Sequence, residues 1–134
     1  MRLPVEKEAE LWLLQAESDF SILKTLLDSK KFDWVCFISH QGAEKALKAY
    51  LMKQGEELIT THSITQLCDL CVRFEKTFQE LKRKIKRLNP YYVEARYPNA
   101  IADIPARYFE KEDAEEAMEM AQESLKFVKK KMRR

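Results

Sequence analysis

Glycine, proline and long apolar runs are scarce in this sequence of 134 residues, which contains two glycines and four prolines. So little glycine leaves almost no material for tight hairpin turns or for the Gly-rich loops that cradle phosphate. No run of about 18 apolar residues is present to span a bilayer, and the first residues lack the apolar core of a secretory signal. The composition therefore predicts a helical protein of the cytoplasm with no membrane segment.

Cysteine and histidine are also few, with three and two residues respectively. An odd number of cysteines without an export signal predicts free thiols. Cys68 and Cys71 form a C-x-x-C pair, but they lie in an apolar helical pattern, where cysteine acts as a small hydrophobe. No serine or cysteine has a histidine and a carboxylate at a spacing known from nucleophilic catalysis. We therefore expect no metal site, no cofactor and no nucleophilic triad.

The formal net charge is only +2, which argues against a general nucleic-acid coat protein. The charge is nevertheless uneven, because residues 82–87 hold five basic side chains, which we call the basic run: Lys82, Arg83, Lys84, Lys86 and Arg87. The basic run is either a solvated helix face or a patch that faces phosphate. The basic tail after residue 125 matches what the dipole favours at the end of a helix.

Apolar residues recur every three or four positions along the chain, as in helices, and nowhere alternate with polar residues as in a strand. Helices are predicted over residues 5–29, 32–54, about 63–74, 76–88 and after a long loop at 97–111. Their number and length predict a single all-α domain over residues 1–134, an antiparallel up-and-down bundle of four to five helices.

Three residues mark the boundaries of these helices. Gly55 is placed to end the second helix in the left-handed conformation, and Ser63 is a candidate cap for the third. Asn89 precedes Pro90, which must either kink the chain or begin a new helix with Asn89 as its cap.

The second helix carries one polar strip, because Gln41, Glu44, Lys45 and Lys48 follow the spacing of a single helical face. His40 lies at the border between this strip and the apolar faces, and His62 immediately precedes the Ser63 cap. Each histidine is either a packed, hydrogen-bonded structural residue or part of a site.

Arg96-Tyr97-Pro98 is a second candidate feature. Proline favours an extended Tyr97, which would project the arginine and the aromatic ring from the end of a helix. Such a pair suits the phosphate and the base of a nucleotide. Alternatively, the triplet only terminates the helix, with Arg96 paired to an acid.

These residues, taken together, resemble the HEPN domain in order and spacing. The resemblance spans nearly the whole chain and is carried by Thr61-His62-Ser63, by Ala95-Arg96-Tyr97-Pro98 and by the run Phe37-Ile38-Ser39-His40-Gln41-Gly42-Ala43-Glu44-Lys45-Ala46-Leu47-Lys48-Ala49-Tyr50-Leu51. It implies a helical bundle that forms a homodimer and binds nucleotide or RNA. It also implies a minimal nucleotidyltransferase as partner, in an accessory-subunit or toxin–antitoxin pair.

One motif of the wider superfamily is missing. Its ribonucleases carry an arginine followed after four to six residues by a histidine, a pair that polarises phosphate and moves a proton. Here neither histidine follows Arg96 or Arg107. A metal-independent ribonuclease would have to assemble Arg96 with His40 or His62 in space, and these three are the candidate catalytic residues. The other alternative is a non-catalytic protein-interaction module.

The predicted ligand site is a groove in which the polar strip of the second helix meets the segment at 96–97. Lys45, Lys48 and Arg96 would bind phosphate, and Tyr97, Tyr91 or Tyr92 would stack on a base. The full set of predicted ligand-binding residues is Gln41, Glu44, Lys45, Lys48, Arg96 and Tyr97.

Overall fold

The computed structural model describes residues 3–56 and 59–133, and within them every regular element is helical. In chain order the elements are α1 (Val5–Ser21), α2 (Leu23–Asp28), α3 (Phe32–Lys53), α4 (Ile64–Val72), α5 (Phe78–Ile85), a 3₁₀ turn (Lys86–Leu88), α6 (Tyr91–Glu94), α7 (Pro98–Ile101), α8 (Pro105–Tyr108) and α9 (Lys111–Met132). The predicted all-α class is confirmed.

Helix α3 is the centre of the molecule, with α1 and α9 as its main neighbours and α4 on a further side. It is apolar on most of its circumference, and residues from Val35 to Met52 are buried on nearly every face. At Gly42, a Cβ atom would lie 3.0 Å from the Cζ atom of Phe20. The absence of a side chain at Gly42 therefore lets the Phe20 ring of α1 lie directly against α3.

The long helices alternate in direction. Helix α1 runs antiparallel to α3, because Asp19 contacts Lys45 while Trp12, earlier in α1, contacts Lys48 further along α3. Helix α9 runs parallel to α3, since Ala114 packs with Val35 near their starts and the Lys53 ammonium donates to the Met132 carbonyl near their ends.

Helix α5 completes this alternation by running antiparallel to α9, as the pairs Lys84–Glu123 and Arg87–Glu116 show. The order α1, α3, α5, α9 is thus up, down, up, down, and α4 lies beside α5.

Two of the observed elements differ from the predicted ones. The first predicted helix, 5–29, is interrupted at Ile22 between α1 and α2. The predicted loop at 97–111 contains two single helical turns, α7 and α8, each begun by a proline whose fixed φ suits the first helical position. Ala102, which ends α7, adopts a left-handed φ of 55°.

The predicted helix ends at Gly55 and Ser63 are confirmed. Gly55 has φ of 99°, and the amide groups of Gly55 and Glu56 donate to carbonyls in the last turn of α3. Ser63 Oγ accepts a hydrogen bond from the Gln66 amide, 3.2 Å away. These two caps set the ends of the connection between α3 and α4.

Asn89 caps a different helix from the one expected. Its Oδ1 atom accepts from the Ser63 hydroxyl and from the Thr65 amide, at 3.2 and 3.3 Å. The residue at the N-cap of α6 is instead Pro90. Asn89 therefore joins the start of α4 to the segment that leads into α6.

The three cysteines are free and belong to the buried core. Burial raises the pKa of Cys68 to about 12 and raises the pKa of Cys36 and Cys71 as well. Among residues 3–56 and 59–133, no three His, Cys, Asp or Glu side chains are grouped as metal ligands would be. In the same ranges, no helix has the length and apolarity needed to cross a membrane.

Candidate functional site

The carboxylate of Glu44 lies at the centre of a group of ionisable side chains, which we call the Glu44 cluster: His40, Glu44, Lys48 and His62. All of them except His62 are buried. Its Oε2 atom accepts a hydrogen bond from the Lys48 ammonium at 2.9 Å, and Oε1 lies 3.1 Å from Nδ1 of His62. The side chains of Glu44 and Lys48 are only 5% and 7% exposed, so the pair is held almost out of water. An ion pair this deep is strongly coupled to its partners because each charge would be costly alone.

His62 links this cluster to the surface. Its side chain is 46% exposed, while its Nδ1 atom faces Glu44. The imidazole stacks on the ring of Tyr92 with centroids 4.2 Å apart and planes inclined by 10°. The hydrogen bond and the stack together fix the orientation of the imidazole and leave Nε2 for a further partner.

Arg96 also contacts Tyr92 and is surrounded by aromatic rings. The centre of its guanidinium is 4.4, 4.6 and 4.9 Å from the ring centroids of Tyr92, Phe37 and Tyr97. Its Nε atom donates to the Tyr92 carbonyl at 2.8 Å. Within the described part of the chain, Arg96 makes no ion pair with a carboxylate, so the alternative in which it pairs with an acid is not what the structure shows.

His40 is completely buried. Its Nδ1 atom is 3.1 Å from Oε1 of Gln41, and its Nε2 atom has no hydrogen-bond partner among the described residues. Burial lowers the pKa of His40, which the nearby Glu44 carboxylate partly opposes. A group without solvent access cannot reach a substrate, so His40 is not placed to contact a ligand in this conformation.

An open pocket of about 290 Å³ lies beside Arg96 and is referred to as the Trp34 pocket. It is lined by Asp33, Trp34, Ala95, Arg96, Tyr97, Ile104, Pro105 and Ala106. Tyr97 is extended before Pro98, with φ of −113° and ψ of 114°, as the sequence predicts. The first turn of α3, the end of α6 and the start of α8 thus bring an arginine and two exposed aromatic rings into one depression.

The polar strip of α3 does not form one exposed groove. Glu44 and Lys48 are buried, because α1 and the segment before α4 cover this face. Lys48 is connected to Arg96 through Glu44, His62 and Tyr92, rather than through a shared opening.

Lys45 lies apart from Arg96. Its ammonium pairs with Asp19 of α1 at 2.7 Å, and its side chain lines a separate apolar depression with Leu11, Trp12 and Gln15. Lys45 and Arg96 were predicted to converge on one ligand, but they line different surfaces of the monomer.

Most of the basic run is neutralised by neighbouring acids. Lys82 pairs with Asp69, Arg83 with Glu80, Lys84 with Glu123 and Arg87 with Glu116. The structure therefore favours the interpretation of a solvated, ion-paired helix face over that of a phosphate-facing patch.

Trp34, Asp33 and Phe37 are residues of this region that the sequence did not indicate. Trp34 lies in the first turn of α3 and is 48% exposed. Its spacing of three residues from Phe37 is the one signal that could have placed it near Arg96, and the two rings do contact each other edge to face.

Comparison with known proteins adds family relationships to this geometry. The family model described as HEPN domain matches residues 9–131. A protein of Methanocaldococcus jannaschii named "Putative toxin MJ1304" is 29% identical over 133 residues, which cover 92% of this chain and 87% of the relative.

Two solved structures have the same fold. The protein TT1696 of Thermus thermophilus is 34% identical, with a TM-score of 0.80 over 92% of this chain and 97% of its own. ST0689, described as an archaeal HEPN homologue, is 30% identical, with a TM-score of 0.73 over 92% of this chain and 96% of its own.

Proposed function

Because the chain belongs to the HEPN domain family, we propose that it binds nucleotide or RNA as a homodimer and acts beside a minimal nucleotidyltransferase, as an accessory subunit or toxin component. The observation that carries the binding proposal is Arg96. Its guanidinium lies among three aromatic rings, and its terminal nitrogens have no partner among the described residues. A fixed, unneutralised cation beside exposed rings suits a phosphate and its base.

The binding test uses Arg96→Gln with Arg107→Gln as its matched control. Arg107 is an exposed arginine of the same region that is already paired with Asp103. We expect Arg96→Gln to weaken binding of labelled ATP, GTP or short RNA by about tenfold or more, because a hydrogen bond to a charged group contributes about 1.5–3 kcal/mol. Equal affinities of wild type, Arg96→Gln and Arg107→Gln would exclude this site.

Lys48 is less informative as a test residue. Its removal would leave Glu44 buried without its cation, so a Lys48→Ala variant would lose stability as well as any ligand contact. The predicted ligand contact of Lys45 can be tested directly by Lys45→Gln, because Lys45 pairs with Asp19 and takes no part in the buried Glu44–Lys48 pair. This substitution should leave affinity unchanged if Arg96 alone carries the phosphate.

The homodimer is supported by apolar side chains on the outer face of α1 and α2. Leu11, Leu14 and Ile22 are 43%, 50% and 47% exposed and lie on one side of the helical path. Light scattering should give a mass of about twice 15.9 kDa, and Leu14→Glu should shift it toward the monomer. A monomer in the wild type at micromolar concentration contradicts the dimer.

The proposed partner and the proposed toxin role rest on the family resemblance and on the name of the Methanocaldococcus jannaschii relative. Co-purification with a nucleotidyltransferase encoded beside this chain, followed by analysis of bound nucleotide, tests the partnership. Capture of the enzyme without any nucleotide on this chain would favour the alternative of a non-catalytic protein-interaction module.

A metal-independent ribonuclease is a second candidate function because of His62. Glu44 orients its Nδ1 atom, as a carboxylate orients histidine in proton-transfer sites, and both His62 and Arg96 contact Tyr92. RNA cleavage in EDTA that is lost in His62→Ala and in Arg96→Gln would support it. Absence of cleavage by the wild type, or full activity of His62→Ala, would reject it.

A further inference from the structure

The Trp34 pocket could also determine which nucleotide is bound, an inference that rests on the nucleotide binding proposed above. We infer that this pocket selects guanine, with the Asp33 carboxylate accepting hydrogen bonds from the base and with Trp34 and Tyr97 covering the base. Arg96 then takes the phosphate.

Asp33 is the residue that offers an acceptor to such a ligand. It is only 7% exposed, lines the pocket, and has no side-chain hydrogen bond or ion pair among the described residues. An ionised carboxylate can only accept hydrogen bonds, so that a ligand in the pocket must bring the donors. The first turn of α3 favours a negative charge at this position through its free amide groups. The pocket therefore presents a negatively charged acceptor to whatever enters it.

Guanine is the base whose donors match this acceptor. Its N1–H and its exocyclic amine lie side by side, so that each can reach one oxygen of a carboxylate. Adenine and cytosine offer one amine next to a ring nitrogen that is itself an acceptor, and that nitrogen would face the second carboxylate oxygen. The N3–H of uracil lies between two carbonyl oxygens. Only guanine satisfies both oxygens without placing an acceptor against them.

The walls of the pocket fit a base. Trp34 and Tyr97 are 48% and 47% exposed, so each has ring surface free for stacking. A volume of about 290 Å³ lies just below the range of roughly 300–1,000 Å³ that is typical of small-molecule sites. The pocket is thus sized for a base rather than for a whole nucleotide, and ribose and phosphate would extend out of it.

Charge sets the direction of the bound nucleotide. The Asp33 carboxylate repels phosphate, whereas the Arg96 guanidinium attracts it, and both line the same pocket. A nucleotide with its base toward Asp33 and its phosphate toward Arg96 satisfies both charges. The reverse orientation would place two negative charges together.

The experiment measures the affinity of the full chain for GMP, IMP and AMP by equilibrium dialysis. We expect GMP to bind about tenfold or more tightly than AMP, because the contact is to a charged group, and IMP, which lacks the exocyclic amine, to fall between them. Asp33→Asn should bring GMP down to the affinity of AMP, since the amide offers only one acceptor. The charge-matched control is Asp28→Asn, an exposed acid at the end of α2 that pairs with Lys24.

Trp34→Ala separates stacking from hydrogen bonding. Because Trp34 is half exposed, its removal should leave the fold intact and weaken GMP and AMP by a similar factor of roughly 5 to 150, with the preference kept. Thermal unfolding of each variant verifies that it is folded, which matters most for Asp33→Asn because Asp33 is buried.

Several results would overturn the inference. Equal affinity for GMP and AMP, both lost in Arg96→Gln, rejects guanine selection but leaves nucleotide binding in place. A GMP preference that survives in folded Asp33→Asn rejects Asp33 as its source. Binding of agmatine, but of no nucleotide, would assign the pocket to an arginine side chain of a protein partner and would reject both proposals.

Discussion

Arg96 and the basic run carry the same sign of charge but occupy opposite environments. In the basic run, four of the five cations lie within 4 Å of an acid on their own or a neighbouring helix. Arg96 is a single cation held against aromatic rings, and it makes no ion pair among the described residues. The density of charge in a sequence is therefore a poor guide to the electrostatic field at the surface, because that field depends on the partners that folding supplies.

The largest expected difference concerns stability. Glu44→Ala should lower the free energy of unfolding by about 3–5 kcal/mol, because it strands the buried Lys48 ammonium and removes the partner of His62. Glu116→Ala, which removes the exposed partner of Arg87, should cost less than about 1 kcal/mol. Urea denaturation of both variants measures this. Similar losses in the two would mean that the Glu44 cluster is no more tightly coupled than the surface pairs.

A smaller effect is expected from pH. Burial lowers the pKa of His40 in the folded state, so the unfolded chain binds a proton at higher pH than the folded chain does. Stability should therefore be constant above about pH 7 and fall as the pH drops below the unfolded value of about 6.5, with a slope of at most about 1.4 kcal/mol per pH unit.

The control for this pH effect is His40→Gln, which cannot take up the proton. Its free energy of unfolding should be lower overall, but it should depend less on pH between about 7 and 5 than that of the wild type. Parallel curves for the two proteins would show that His40 is not the source of the pH dependence.

The smallest effect should come from freeing the basic run. A Glu116→Gln, Glu123→Gln double variant releases Arg87 and Lys84 for contact with RNA. If each then binds one phosphate of a single strand, the slope of log affinity against log salt should steepen by about 1.4. The affinity for GMP should stay unchanged, since the Trp34 pocket is not altered. An unchanged salt slope would mean that these pairs do not mask phosphate binding.

The long helices were predictable because each has a periodic apolar face and a chemically distinct end. The predicted range of 32–54 for the second helix differs from that of α3 by one residue. Its end was predictable because the chain turns at Gly55 with a positive φ, a conformation that residues other than glycine disfavour. The break at Ile22 was not predictable, because Ile22 keeps a helical conformation and the apolar pattern continues across it. The single turns α7 and α8 are shorter than any window in which periodicity can be detected.

The candidate site was only partly predictable for a related reason. Arg96 and Tyr97 could be identified because Pro98 restricts the local backbone. Lys45 and Lys48 could not be judged, since their ion pairs with Asp19 and Glu44 depend on which residues the fold brings near. Neither could the stack of His62 on Tyr92, whose members are thirty positions apart in the sequence.

Asn89 has a consequence that reaches beyond the helix it caps. Its amide oxygen holds the hydroxyl of Ser63 and the backbone of Thr65. His62 immediately precedes Ser63 on one segment of the chain, and Tyr92 follows Asn89 by three residues on the other. One side-chain amide therefore keeps the two segments in register, and with them the distance from the interior carboxylate of Glu44 to the arginine at the mouth of the pocket.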